Sequence, residues 1–514
     1  MVVLVVVVAA VVGGVLVWRS AATGDGHGRA AAQRFGMAWI RRDWALMWRA
    51  VTPGARAAYS EARFVAAYRS ADRAAGVRSV AIAAVGADRG GRVAVAVRIA
   101  TARFGTLRGT ILVPVSETGS SGGVDWDPAL RLPGLRRGEA VHTRSGPQPQ
   151  RAAILAADGT PLNATALGAA IAGQVAPQPT GLQRLYDRRL SGYASGQLLF
   201  GARVIARAPM VPSRPLPTTI RPRLMAQATT ALGQQLGGVA VIRPRDGAVQ
   251  ALAGLAVSAP QPPGSTFKII TVSAALKDGI ATPSTTYPVR TSATLSGVAL
   301  RNASGEACGG SLTEAFTVSC NSVFAPLGAK LGAKRLVATA RAFGFDQQPK
   351  IPDAKPSTIS PPSQLRDSLA VGAAAIGQDR DLATPLQMAS VAATIALDGR
   401  RVPPRITTID PILSNQVLPT KIAHEVRSMM LDVVRSGTGT AAAIPGVQVA
   451  GKTGTAELRP NSTNPKDADA WFVAFAPAEH PKVAVVVMLV GAGFGGTTAA
   501  PIAKEVLQAA LSHN

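Results

Sequence analysis

Histidine is scarce in this 514-residue chain. The five present, His27, His142, His424, His480 and His513, stand in no metal-ligand or triad-like context. That argues against a histidine-based hydrolase, and no metal or cofactor is expected. Cysteine is scarcer. Cys308 and Cys320, twelve positions apart, make no zinc-knuckle pattern. Aromatic residues reach only 4%, yet a hydrophobic content of 47% argues for a folded chain with a large core. Acidic residues are outnumbered, 29 against 54 Lys and Arg, for a net charge of +25. Such a charge calls for anionic partners. Nucleic acid is not the expected one, because arginine is scattered through every segment and no base-reading motif occurs. Internal repeats and long low-complexity tracts are absent.

Residues 2–18 are almost wholly apolar and carry no charge. The length of this run is near the lower limit for a membrane-spanning helix, and Trp18 suits the interface. A cleaved signal segment is the competing reading, with Ser20-Ala21-Ala22 as its small-residue site. A basic flank is missing before the run, and Arg19 behind it runs against the positive-inside rule; a start further upstream would account for both. The segment 1–19 is read as an anchor, and no cysteine follows to suggest a lipoprotein.

Ser265 and Lys268 lie in Pro263-Gly264-Ser265-Thr266-Phe267-Lys268, ahead of an apolar run. The i, i+3 spacing puts hydroxyl and amine on one helix face. Serine is a weak nucleophile until a base takes its proton, and a desolvated lysine can be that base. By itself the pattern is an ordinary helix start. Two further fragments change its weight: Ser319-Cys320-Asn321 and Lys452-Thr453-Gly454-Thr455. Each alone reads as a loop or a strand end. In this order the three resemble the motif set of penicillin-binding proteins and serine β-lactamases. The flanking Gly238–Ile242 strand with its Asp246-Gly247 turn, and Ile376-Gly377-Gln378-Asp379 before a helix opening at Ala383–Met388, agree with it.

The resemblance implies an α/β and α+β multidomain chain. Residues 226–514 resemble a penicillin-binding transpeptidase domain, an antiparallel sheet flanked by helices. Residues 26–140, with a helical Arg29–Arg49, strands at Arg92–Arg98 and Gly109–Val115, Phe104-Gly105 and an Asp125-Trp126 turn, resemble the N-terminal domain of methicillin-resistance-type penicillin-binding proteins. That family module is a nuclear-transport-factor-like α+β cone, read here as a spacer. Ser145-Gly146-Pro147-Gln148-Pro149-Gln150 breaks the chain. Residues 146–225 follow as a pedestal, or dimerisation, segment on the resemblance of Gly181–Asp187 and Leu190–Gly192, with a hairpin expected around Asp158-Gly159. No glycosyltransferase-sized region precedes it.

By the same resemblance, Ser265 attacks a D-alanyl-D-alanine carbonyl and Lys268 is the general base, helped by Lys452. Ser319 relays a proton to the leaving amine, and Asn321 holds Lys268 and the substrate amide. Lys452, Thr453 and Thr455 lie on an edge strand that binds the terminal carboxylate, and Gly454 leaves the substrate's approach open. The backbone N–H groups of Ser265 and Thr455 form the oxyanion hole. Expected partners are peptidoglycan stem peptides, β-lactams, the membrane, anionic wall polymers and a polytopic membrane glycosyltransferase. An extracytoplasmic location permits a Cys308–Cys320 disulfide; two small buried thiols are the equal alternative. Transpeptidase is the leading function. A D,D-carboxypeptidase or β-lactamase, and a non-catalytic sensor or scaffold, are the alternatives, set back by the long N-terminal modules and the intact motifs.

Overall fold

The computed structural model of the chain describes residues 26–116, 122–378, 380–459 and 464–512. The expected anchor at 1–19 lies outside them. Among the described residues no helix is long and apolar enough to cross a membrane. The chain forms two compact units, Met1–Pro149 with Gly192–Pro212, and Gln150–Ser191 with Ser213–Asn514.

In the first unit, helix α1 (Gly26–Arg41) ends where Arg42 takes a positive φ of 56°. The expected single helix to Arg49 is therefore two: Asp43 caps a second, Trp44–Arg49, by accepting from Leu46 N at 2.9 Å. Helix α2 (Glu61–Ala75) starts under Ser60 and stops at left-handed Gly76. Strands β1 (Val77–Asp88), β2 (Arg92–Thr101) and β3 (Thr106–Ser116) form an antiparallel meander. Strand β1 was not foreseen, because its Ala, Gly and Arg residues dilute the strand pattern. The interior is filled by rings: Phe64 lies 4.8 Å from Trp126 and 5.1 Å from Tyr68 between ring centroids.

Strands β4 (Val141–Ser145), β5 (Gly196–Phe200) and β6 (Arg203–Ala208) make a second sheet, ordered β4-β5-β6. Leu198 and Phe200 are fully buried in the first unit's core. The segment 146–225 expected to act as one pedestal is thus divided. Its Gly192–Pro212 part follows its apolar strand into the first unit, and the remainder belongs to the second. The hairpin expected around Asp158-Gly159 forms as a short one: Gly159 has φ 84°, Ala156 N donates to Thr160 O at 2.8 Å and Leu155 bridges Pro161 antiparallel, while Ile154–Leu155 also pairs in parallel with Leu216–Pro217.

The second unit begins with α3 (Pro222–Leu232). Its sheet consists of β7 (Gly237–Arg243), β8 (Ala248–Gly254), β9 (Ala450–Glu457), β10 (Ala468–Ala476) and β11 (Val483–Leu489), ordered β8-β7-β11-β10-β9. All pairings are antiparallel. The run Val-Ala-Val-Val-Val-Met-Leu in β11 is buried throughout, so both faces of the sheet are covered. Helices α6 (Pro385–Ala396) and α8 (Ala499–Ser512) pack on β10 and β11. Helix α7 (Thr420–Arg435) lies against β9, the edge strand. Helices α4 (Lys268–Lys277) and α5 (Asn321–Leu331) pack together beside it and bring the first two motifs to the third.

The divided segment has a measurable outcome. Arg214 N donates to Arg189 O at 2.8 Å, so the two ends of the excursion lie together within the second unit. A fragment 150–514 in which a short Gly-Ser linker replaces Gly192–Pro212 should be soluble and bind penicillin at the full-chain rate. The same fragment with the excursion retained exposes Leu198 and Phe200 and should aggregate, as sedimentation will register.

Candidate active site

Gly264–Phe267 is a 3₁₀ turn running into α4, a geometry in which residues i and i+3 eclipse. It sets half-buried Ser265 and wholly buried Lys268 on one side. The turn sits hard against β9. At Gly264, φ is 51°, and a Cβ there would stand 2.6 Å from Thr455 O. Gly264 N is anchored by Gly377 O at 2.9 Å.

Lys268 Nζ donates to Ser319 O at 2.6 Å and to Asn321 Oδ1 at 2.7 Å, with Ser319 Oγ at 3.3 Å. Ser265 Oγ has no hydrogen bond among the described residues, and the Lys268 amine turns to the Ser319 corner instead. The backbone explains the choice. Ser319 closes the helix Leu312–Thr317 in the left-handed region, with φ 65°, a conformation costly for serine. It turns carbonyl and hydroxyl together onto the lysine. Asn321, first residue of α5, offers its amide oxygen from the next turn, while its Nδ2 donates to Arg301 O at 2.9 Å.

Lys452 is also fully buried, and its Nζ donates to Thr453 O at 3.1 Å. Rings back both amines: Nζ of Lys268 is 5.5 Å from the Phe324 centroid, and Nζ of Lys452 is 5.5 Å from that of Phe316. Burial, and then the Lys452 charge, push Lys268 well below the usual lysine range. Burial brings Lys452 down to about 7. A neutral amine has two N–H donors, matched by the two short bonds of Lys268, and keeps a lone pair to accept a proton.

Along β9 the side chains alternate, Lys452 and Gly454 to one face, Thr453 and Thr455 to the other. Gly454 has a packing reason to lack a side chain. A Cβ at 454 would stand 2.8 Å from Thr266 Cγ2, 2.9 Å from Pro263 O and 2.9 Å from Trp471 Cβ. The glycine therefore admits the nucleophile's own turn against the strand. Thr453 Oγ1 meets Thr438 Oγ1 at 2.6 Å, and Gln378 Nε2 donates to Thr455 O at 3.4 Å. Neither Thr438 nor Gln378 was foreseen as part of the site. Thr438 stands in a Ser-Gly-Thr-Gly turn that resembles any loop, whereas Gln378 lies within the stretch Ile376-Gly377-Gln378-Asp379 quoted above without a role. Asp379 lies outside the described residues. Cys308 and Cys320 form a disulfide, which fixes the backbone between Ser319 and Asn321.

The match to known proteins is extensive. A sequence model described as the penicillin binding protein transpeptidase domain fits residues 237–508, over half of the chain. The chain belongs to the penicillin-binding protein transpeptidase family. Peptidoglycan D,D-transpeptidase PbpA of Mycolicibacterium smegmatis is 36% identical over 403 residues, 65% of this chain and 79% of that protein. PbpA of Mycobacterium tuberculosis is 37% identical over 320 residues, covering 56% of this chain and 60% of the relative. A solved M. tuberculosis penicillin-binding protein A, a penicillin G acyl-enzyme complex, matches with a TM-score of 0.59 at 29% identity, over 71% of this chain and 100% of that one. Within this family member, Ser265, Lys268, Ser319, Asn321 and Lys452 converge in the second unit, with Thr453–Thr455 at the sheet edge.

The buried lysine makes the site costly. Lys452 carries a folded-state pKa below that of the unfolded chain, so between about 7 and the ordinary lysine value near 10.4 the unfolded state holds the extra proton. Stability from this group is therefore complete above the unfolded pKa and is lost as pH falls through 7. Lys452→Met should raise the thermal midpoint at pH 6.5 by roughly 2–6 °C, a gain that shrinks as pH approaches 10. Acylation by penicillin should slow by orders of magnitude in the same protein. Calorimetry across pH and a labelling time course check both.

Proposed function

We propose that this family member is a class B, membrane-tethered D,D-transpeptidase that cross-links peptidoglycan stem peptides through an acyl-enzyme on Ser265. The observation that carries the reading is the buried Lys268 amine, held by Ser319 O and Asn321 Oδ1 beside a second buried lysine. In this reading Ser265 Oγ attacks the penultimate D-alanine carbonyl as Lys268 takes its proton. The tetrahedral oxygen sits on the N–H groups of Ser265 and Thr455. Ser265 lies in the first turn of the helical segment, where amides have no intrahelical acceptor. Ser319 passes the proton from Lys268 to the departing D-alanine amine. A neighbouring stem peptide's amine then attacks the ester, with Lys268 again as base, and releases Ser265.

Thr453 and Thr455 receive the substrate carboxylate, and the charge of Lys452 favours it. A β-lactam bearing its own carboxylate fits the same roles, and opening of its strained amide leaves the serine ester in place. The relatives' names and the acyl-enzyme likeness support this assignment. The first unit serves as a nuclear-transport-factor-like spacer holding the enzyme away from an anionic membrane surface, consistent with the chain's +25 charge. A polytopic membrane glycosyltransferase is its proposed working partner.

Mass spectrometry after benzylpenicillin exposure should find one penicilloyl adduct on Ser265 that persists. Ser265→Ala protein labelled elsewhere in equal yield would defeat the assignment. Thr453→Val, nearly isosteric, should cost roughly 1.5–3 kcal/mol in acylation by a β-lactam with a free carboxylate. An esterified β-lactam should feel far less of that penalty; equal penalties would remove the carboxylate role from this strand. Thr438→Val should show the same free-acid bias, to a smaller degree.

A further inference from the structure

A second polar network lies directly behind the site. Asn302 follows the hairpin Ser292–Arg301 and is 6% exposed. Every polar atom of its amide is engaged. Nδ2 donates its two N–H to Arg290 O at 2.7 Å and Glu306 O at 2.8 Å, with Ser322 Oγ 3.1 Å away. Oδ1 accepts from Ser322 N at 2.7 Å, one of the amides that the start of α5 leaves without an intrahelical acceptor. One side chain thereby ties three chain segments together: both sides of the hairpin and the second residue of the helix that presents Asn321.

Its neighbour supplies the link to chemistry. Arg301 O accepts from Asn321 Nδ2, and only with Nδ2 so occupied does Asn321 Oδ1 face Lys268 Nζ. An asparagine amide has two nearly isosteric ends, and its partners alone decide which end faces which way. A free amide could rotate and set its NH₂ against the lysine. That would put donor against donor and remove an acceptor from the base.

We infer that Asn302 is a positioning residue for acyl transfer: it clamps Arg301 O against α5, and that carbonyl locks the Asn321 amide with its oxygen on Lys268. Asn302 touches no reacting atom. The disulfide Cys308–Cys320 joins the same segments covalently but leaves the Arg301 carbonyl free to shift, so the two clamps do different work. This inference rests on the proposed acyl-enzyme reading.

The test is a double-mutant cycle in the full-length protein, read as the acylation rate constant at saturating penicillin. Asn302→Ala should lower it roughly ten- to hundredfold. In an Asn321→Ala background the same substitution should change it less than about twofold, because its route of action is already gone. A role in general stability would instead lower both backgrounds equally, and additive losses overturn the inference. Asn302→Asp keeps the acceptor for Ser322 N and loses the donors. It should fall between wild type and alanine, and it replaces the alanine variant in the cycle if that protein does not fold. Failure of the wild type to label at Ser265 would count against the acyl-enzyme reading itself. Independently of labelling, a crystal structure of the variant decides the clamp. Asn321 Nδ2 still on Arg301 O, with Oδ1 still on Lys268, would refute it; a rotated or displaced amide would uphold it.

Discussion

Everything at this site depends on keeping an amine dry. Two lysine nitrogens share one enclosed space, where burial and mutual repulsion oppose charging both. Lys268 is offered two carbonyl-type acceptors, and Lys452 the carbonyl of its neighbour and the face of a ring. No single element could create that space. The turn carrying Ser265, the left-handed corner at Ser319 and the edge strand β9 must all close on it, and Gly264 and Gly454 permit that closeness by lacking side chains.

The site is held in two ways. The sheet core, with β10 and β11 buried at almost every position, fixes β9 in the frame of the unit. Helix α5 is packed into the same core, and the corner before it is fixed further by a disulfide and by polar contacts with a hairpin that is itself largely exposed. The edge strand with Lys452 is therefore anchored by the sheet, and the Ser319–Asn321 corner also by hydrogen bonds and one covalent bridge.

Much of this was legible in the sequence because the chemistry sits in side chains at short, fixed spacings. Ser265 with Lys268, Ser319 with Asn321, and Lys452 through Thr455 each form a compact signal, and their family resemblance joined them. What stayed hidden depends on contacts far apart in sequence. Asn302 reads as a loop asparagine until Ser322 is seen against it. Thr438 and Thr453 meet only because α7 and β9 fold side by side. The packing of Gly454 against the turn of Ser265 was not foreseen, because sequence does not say which face of a strand looks at the nucleophile. Strand β5 was misallotted since the Pro-containing break before it hid a return of the chain.

That return has a topological consequence. The polypeptide passes between the two units three times, at Pro149/Gln150, Ser191/Gly192 and Pro212/Ser213. A cut at any one of these points divides at least one unit between the two fragments, so only the noncovalent contacts within that unit would hold them together. The same threading sets an order on synthesis. The first unit cannot complete its second sheet until about sixty residues beyond its apparent end have emerged, so part of the catalytic unit's chain must wait, unfolded, between two halves of its neighbour.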